Sequence, residues 1–130
     1  MLQAQSISRE VGKQFLDPSE TTRRTPSTGE IQAYLQGALH DASLNKGKRY
    51  RFTQSDRRWL ETLQRLLHVL GHRSWIYKEG RTRNVFALET LASFLDFHFD
   101  PAGLNGAEAK LAYVRGFFDA EGGIPRRETA

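Results

Sequence analysis

The fold of this chain is decided by one stretch, Lys110-Leu111-Ala112-Tyr113-Val114-Arg115-Gly116-Phe117-Phe118-Asp119-Ala120-Glu121-Gly122-Gly123. Its apolar residues predict a helix with a glycine at its middle, followed by two carboxylates and a glycine pair. A glycine inside a helix costs roughly 1 kcal/mol relative to alanine. We therefore expect a second backbone to pack closely against Gly116. Two such helices side by side would bring acidic groups together, and clustered carboxylates are typical ligands of Mg²⁺.

The same pattern occurs earlier in a weaker form. The segment Ala33-Tyr34-Leu35-Gln36-Gly37 shares the core Ala-Tyr-x-x-Gly with the later helix, and the two glycines are 79 residues apart. An acid, Asp41, again follows the glycine. A repeated helix with a repeated acidic end indicates two structural repeats related by a pseudo-two-fold axis. We therefore expect Gly37 and Gly116 to form the interface between the two helices.

At these motifs the chain resembles the LAGLIDADG family of homing endonucleases. The signature helix of that family is matched closely by Gly116 to Gly122 and more loosely by Gly37 to Ser43, and Arg51 to Leu60 is similar to the strand-to-helix step after the first motif. The resemblance covers about residues 30–123. It implies an α+β fold, in which a LAGLIDADG-like half with a small antiparallel sheet packed on helices is joined to a second motif helix.

The second repeat has its motif helix but not the sheet that should follow it. We therefore expect residues 1–29 to be an irregular extension, residues 30–107 the first repeat, and residues 108–130 the start of a truncated second repeat. Within the first repeat, the pattern predicts a helix from Gly29 or Glu30 to about His40 and a very short or missing first strand. The later predicted elements are a strand over 49–54, a helix starting at the N-cap Ser55 and ending at Gly71, strands over 72–78 and 83–88, and helices over 90–97 and 108–118.

Charge is unevenly distributed along the chain. The net charge of the whole chain is +4, but residues 46–83 carry eleven Lys and Arg against three acids, a net of +8. A basic middle with acids at both motif ends is typical of a nuclease. The chain has no cysteine, no secretory signal pattern and no apolar run of the length of a membrane span. These features predict a protein of the cytoplasm or an organellar matrix, with no membrane partner.

The resemblance implies a site for Mg²⁺ or another divalent cation at the helix ends. Glu121 matches the metal-binding carboxylate of the family, whereas Asp119 would cap the facing helix. In the first motif the acid is displaced: Asp41 stands four residues after Gly37, and the matching fifth position is Ala42. Asp41 is still the expected metal ligand of this half, since no other acid is in reach. Gln54 is expected to act catalytically by ordering water or contacting the phosphate.

Alternation along the strand at 49–54 predicts an arginine face for DNA and an aromatic face for the core. Trp75 and Tyr77 could lie in the core or contact bases. The residues expected to bind DNA are Arg49, Arg51, Thr53, Arg57, Lys78, Arg81 and Arg83.

The preferred function is site-specific binding of double-stranded DNA with metal-dependent phosphodiester cleavage, by a chain that needs a second half-domain in cis or in trans. The alternative is a non-catalytic DNA- or RNA-binding relative such as an intron maturase. Ala42 in place of an acid favours the alternative, and Glu121 argues against it.

Overall fold

The described part of the chain has an α+β fold, as the sequence predicts, and it contains three α-helices and a four-stranded antiparallel sheet. The computed structural model describes residues 25–82 and 84–121, so most of the expected extension, Arg83 and the glycine pair lie outside it. The helices are α1 (Thr28–Ala38), α2 (Arg57–Val69) and α3 (Ala107–Ala120). The strands are β1 (Ser43–Asn45), β2 (Arg49–Gln54), β3 (Ser74–Glu79) and β4 (Val85–Thr90).

Helix α1 begins with a capping box. The backbone N–H of Glu30 donates to the Ser27 hydroxyl at 3.1 Å, and the Glu30 carboxylate accepts from the Ser27 N–H at 2.7 Å. This reciprocal pair satisfies two N–H groups that the helix itself cannot. The α-helix ends at Ala38, earlier than predicted, and a 3₁₀ turn over Leu39–Asp41 follows. The tighter turn changes which side chains of the motif end face α3.

The sheet has the strand order β1-β2-β4-β3, with every neighbouring pair antiparallel. Strand β1 is present but only three residues long, in line with the short first strand expected. It joins β2 through a tight turn in which Lys46 and Gly47 both have positive φ, of 58° and 70°. The Lys48 N–H donates to the Asn45 carbonyl at 3.2 Å, so these two left-handed residues are at the centre of the turn, within a loop of three residues between the paired Asn45 and Arg49.

Helix α2 is amphipathic and closes the core over the sheet. Its buried side chains include Leu60, Leu63 and Leu67, whose spacing of i, i+3 and i+7 in the sequence predicts one apolar helix face. The N-cap is Asp56 and not the predicted Ser55, because the Asp56 carboxylate accepts the N–H of Arg58 at 3.0 Å. The helix ends at Val69, and Gly71, the predicted stop, follows the C-cap Leu70 with a φ of +88°.

The predicted helix over residues 90–97 is wrong. Thr90 is the last residue of β4, and residues 91–97 are irregular, with turns at 93–94 and at 97–98. The backbone of Asp96 is instead held from α1: the Gln36 amide donates to the Asp96 carbonyl at 3.0 Å and accepts the Asp96 N–H at 2.9 Å. These long-range hydrogen bonds take the place of the intrahelical ones that the local sequence favours. A further 3₁₀ turn, Pro101–Gly103, precedes α3.

The core lies between the sheet and the helices, and α1 is at its centre. Leu35 of α1 and Leu39 of the 3₁₀ turn pack with Phe52 of β2 and Leu88 of β4, and all four are buried. Helix α3 packs on the remaining side of α1. This arrangement places the C-terminal ends of α1 and α3 beside the end of β2.

Candidate metal-binding helix ends and nucleic-acid face

Gly37 and Gly116 lie where the backbones of α1 and α3 meet. A Cβ on Gly37 would stand 2.0 Å from the carbonyl oxygen of Tyr113, and one on Gly116 would stand 2.0 Å from that of Tyr34. The two contacts are reciprocal, since Tyr34 and Tyr113 each stand three residues before their own glycine. The paired helices therefore have the close, pseudo-symmetric contact expected from the repeated motif.

Glu121 ends α3 as its C-cap, and its side chain is about half exposed. Its carboxylate faces the 3₁₀ turn of the first motif, where the Nε2 atom of His40 lies 3.3 Å away. The His40 ring stacks on Phe117 of α3, with ring centroids 3.9 Å apart. His40 is thus the side chain of the first motif that contacts Glu121. The sequence did not predict this pairing, because the residue expected at this place was the displaced acid Asp41.

Asp41 is exposed and makes no hydrogen bond or ion pair with the residues that the structure describes. Ala42, at the position that matches Glu121 in the repeat, is half-buried against the core. Although the helix end is tightened to a 3₁₀ turn, Asp41 does not pair with Glu121. Over residues 25–82 and 84–121, no group of three or more His, Asp or Glu is arranged to hold a metal ion.

Asp119 points away from this end and into the protein. Its carboxylate accepts a 2.7 Å hydrogen bond from the Tyr34 hydroxyl, which in turn accepts one of 3.0 Å from the indole N–H of Trp59. Burial raises the pKa of Asp119 to about 6, and the Tyr34 hydrogen bond and the charge of Arg115 oppose this only in part. Burial, followed by the Asp119 charge, raises the pKa of Tyr34 well above its ordinary value. Asp119 therefore contacts the facing helix through a side chain and does not cap its backbone.

Gln54 connects the end of β2 to the end of α3. Its amide Nε2 donates to the carbonyl of Ala120 at 3.0 Å and lies 3.4 Å from that of Asp119. These carbonyls belong to the last turn of α3, which cannot satisfy them within the helix. Gln54 thus stands beside Glu121 in the structure. Arg57 is nearby in sequence, but its guanidinium pairs with Glu61 at 2.9 Å and lies over the Phe86 ring.

The face of the sheet opposite the helices, here called the open face, carries Arg49, Arg51 and Thr53 on β2, as the alternation predicts. Strand pairing also puts Trp75, Tyr77 and Glu89 on this face. Trp75 and Tyr77 are each more than a third exposed, which excludes them from the core.

Glu89 organises the open face and was missed by the sequence analysis. Its side chain is only 3% exposed, yet it pairs with Arg49 at 3.1 Å and lies 3.8 Å from Arg51. Asn45 and the Tyr77 hydroxyl each donate to it at 2.7 Å, and Arg51 also pairs with Glu79. Burial works against the charge of Glu89, but these partners together lower its pKa below the ordinary value. The two arginines are therefore neutralised and held in place.

The remaining expected DNA contacts are divided. Lys78 pairs in register with Phe86 on the helix-packed side, so the prediction that it joins Arg49 and Arg51 on one face is wrong. Neighbouring residues of a strand point to opposite faces of the sheet. Lys78 directly follows Tyr77, which is on the open face, so the side chain of Lys78 is on the helix-packed face. Arg81 is exposed in the turn after β3. Arg83 lies outside the described residues.

Residues 30–97, about half of the chain, match the family described as LAGLIDADG-like domain. The match spans α1 through β4 and ends before α3. No curated protein and no solved structure matches the chain significantly. Across the described residues, none of the helices has the length and apolar character needed to cross a membrane.

Proposed function

The chain belongs to the LAGLIDADG-like domain family, and from this premise we propose that it binds double-stranded DNA on the open face and takes part in metal-dependent phosphodiester cleavage at the end of α3. The family comprises DNA-binding endonucleases and maturases, and its nucleases generally use divalent metal ions. The observation that carries the proposal is the close pairing of α1 and α3, which brings Glu121 to the end of the sheet beside Gln54.

DNA contact is assigned to the open face because its polar side chains are held in fixed positions. The buried carboxylate of Glu89 holds the guanidinium groups of Arg49 and Arg51 in place. Binding of a ligand by these two side chains therefore costs little further conformational entropy. An arginine so placed can bind the O6 and N7 atoms of guanine in the major groove. Since the two charges are already paired, we assign Arg49, Arg51 and Thr53 to base contacts and the exposed Arg81 to phosphate contact.

The proposed cleavage site takes one ligand from each helix end. Glu121 fits a divalent cation as one ligand, since its carboxylate is exposed and carries no hydrogen bond from a backbone group of the described chain. Asp41 is the proposed second ligand, and phosphate oxygens and water would complete the set. When bound, Mg²⁺ supplies the charge that favours attack on a phosphate. His40 holds the Glu121 carboxylate, and Gln54 keeps the last turn of α3 in place.

A second half-domain, in cis or in trans, is part of the proposal because α3 has an uncovered apolar face. Leu111, Val114 and Phe118 are 64%, 59% and 43% exposed. Val114 and Phe118 stand 79 residues after Leu35 and Leu39, which are buried against the sheet of the first repeat. By the repeat, a second sheet would bury the corresponding face of α3. The family dimerises or has two domains, in line with this proposal.

The second candidate is binding without cleavage, as in an intron maturase or a regulator. Ala42 favours it, because a methyl group occupies the position where the repeat would place a second carboxylate. The two functions differ in whether a metal-dependent break accompanies binding.

The test is cleavage by the chain together with the second half-domain, on duplexes first selected for binding from a random pool. With Mg²⁺ present we expect strand breaks, and Glu121→Gln should abolish them while changing the duplex dissociation constant less than about threefold. The matched control is Glu108→Gln, the same change in the first turn of α3. Asp41→Asn should also block double-strand cleavage. Normal cleavage by Asp41→Asn would show that Asp41 is not a metal ligand. If the unmodified protein binds duplexes but does not cleave them, the second candidate function, binding without cleavage, is the correct one.

A further inference from the structure

A cavity of about 680 Å³ lies between the C-terminal half of α2 and the start of β3, at the outer edge of the sheet. It is here called the α2–β3 pocket. Its lining includes Arg65 and His68 of α2, and His72, Arg73 and Trp75 of the chain that follows. The residues around Glu121 and Gln54 do not contribute to it. The pocket is therefore separate from the proposed cleavage site.

The charge of the pocket distinguishes it from the arginines of β2 and of the first turn of α2. Arg49, Arg51, Arg57 and Arg58 each contact a carboxylate. Arg65 and Arg73 form no ion pair with any described residue, and no acid lines the pocket. Two arginines with unshared charge around one cavity favour an anion, and phosphate oxygens suit the guanidinium fork.

The apolar part of the pocket favours a flat, aromatic ligand. Trp75 is 38% exposed and Val69 is 55% exposed, and both line the cavity. Trp75 stands on the edge strand β3, where the cavity meets the open face. The wall is held in place by the Gln64 amide, which donates to the Ser74 carbonyl at 3.2 Å, and by the contact of the His72 ring with Phe94. An indole next to positive charge is the combination on which unpaired bases stack while their phosphates are neutralised.

Ser74, which also lines the pocket, has a polar group without a partner among the described residues. Its hydroxyl is buried and has no hydrogen-bond partner within the described part of the chain. A buried hydroxyl without a partner is costly, and rotation about its one side-chain bond can turn it toward the pocket. Its side chain is on the opposite face of β3 from Trp75, so a sugar or phosphate oxygen of a nucleotide, and not the base on Trp75, would satisfy it.

We propose that the α2–β3 pocket binds an unpaired nucleotide of a single-stranded nucleic acid, with the base against Trp75 and the phosphates at Arg65 and Arg73. The volume is in the range of pockets for single small ligands. A duplex does not fit this role because its bases are stacked on one another and paired. The site would add single-strand binding to a protein whose open face is suited to duplex DNA, and it does not depend on cleavage.

The test measures binding of fluorescently labelled 12-nucleotide oligo-dT and oligo-U by anisotropy at about 50 and 200 mM salt. The double variant Arg65→Ser/Arg73→Ser should weaken binding at least tenfold and reduce the salt slope by roughly 1.4, since each phosphate contact on a single strand contributes about 0.7. Trp75→Leu should weaken binding about tenfold through lost stacking. The control Lys48→Ser/Lys110→Ser removes two exposed charges elsewhere and should change the affinity less than twofold. The two oligonucleotides distinguish DNA from RNA as the source of the strand.

Three outcomes would overturn the proposal: no binding of either oligonucleotide at 50 μM protein, an equal loss in the control variant, or equally tight binding of a 12-residue polyglutamate. Circular dichroism melting curves check that each variant is folded. Duplex binding is measured on the same proteins and should be unchanged by Arg65→Ser/Arg73→Ser. Loss of single-strand binding with duplex binding retained separates this site from the open face.

Discussion

At the scale of single residues, Asp119 and Glu89 are two buried carboxylates with opposite behaviour. Asp119 has one strong hydrogen-bond donor, Tyr34, and burial dominates, so its pKa rises to about 6. Glu89 has donors on both oxygens and two arginines, and its pKa falls. The number of partners decides the sign, because each favours the charged form against the cost of burial.

Asp119 should make the protein less stable as the pH rises. Its pKa is about 6 in the folded state against 3.8 ordinarily, so the folded state binds more protons between these values and stability falls over that interval. Asp119→Asn removes this titration while retaining an acceptor for Tyr34. Urea unfolding from pH 4 to 7 should therefore show a smaller decline for the variant than for the unmodified protein. An equal decline in the two proteins would mean that Asp119 does not set this pH dependence.

Glu89 should have the opposite pH dependence. Because its folded-state pKa is lowered, its stabilising contribution is present above its ordinary pKa of 4.5 and is lost as the pH falls through the folded value. Glu89→Gln should lower the free energy of unfolding at pH 7 by roughly 1–3 kcal/mol, since it leaves hydrogen-bonding groups without a charged partner. Glu61→Gln, at an exposed ion pair, should cost less than about 1 kcal/mol. Equal losses in the two variants would mean that Glu89 does not organise the open face.

At the scale of the elements, the sequence predicts those parts whose cause is local. The leucine spacing of α2, the stop at Gly71 and the turn at Asn45 to Lys48 follow from periodicity and turn chemistry. The helix expected over residues 90–97 is absent because Gln36, some sixty positions earlier in the chain, holds the backbone of Asp96. Local patterns carry no information about such a partner.

The contact between α1 and α3 should not tolerate a side chain at either glycine. Gly37→Ala or Gly116→Ala places a methyl group 2.0 Å from a backbone carbonyl oxygen, so the helices must separate. We expect each substitution to lower the free energy of unfolding by about 2–4 kcal/mol, as measured by urea denaturation. Gly29→Ala is the matched control in α1, where the nearest atom is 3.9 Å away, and should stabilise by up to about 1 kcal/mol. A tolerated alanine at Gly37 would contradict the close contact.

At the scale of the whole molecule, the basic middle of the chain is less positive in effect than its composition indicates. Three acids of residues 46–83 are already counted in their net of +8, but Glu89, which lies outside this range, also pairs with Arg49, so fewer charges are available to phosphates than that net implies. The sequence also placed Glu121 and Gln54 together through the family resemblance. The contacts of His40, Glu89 and Trp59 could not be predicted from the sequence, since the partners of these residues are brought close only by the fold.

Duplex affinity should decrease steeply with salt. The slope of log affinity against log salt should reflect the number of Lys and Arg side chains that contact phosphates and have no ion-pair partner in the protein. Arg81→Ser should reduce the magnitude of the slope of log affinity against log salt by about 0.9, the value for one phosphate contact on B-DNA. Lys110→Ser, which removes an exposed charge on α3, should leave the slope unchanged. The measurement is a fluorescence anisotropy titration at four salt concentrations. A slope that Arg81→Ser does not change would place the DNA elsewhere.

The reciprocal glycine contact also restricts how this sequence can change over evolutionary time. When a substitution collides with a neighbouring side chain, a second mutation can trim that neighbour and restore the fit. Here the obstacle at each glycine is main chain, the carbonyl groups of Tyr34 and Tyr113, which every amino acid possesses. No compensating replacement at either tyrosine can make room. No single substitution elsewhere can therefore compensate for a side chain at either position. Descendants that keep this helix pairing must keep both glycines.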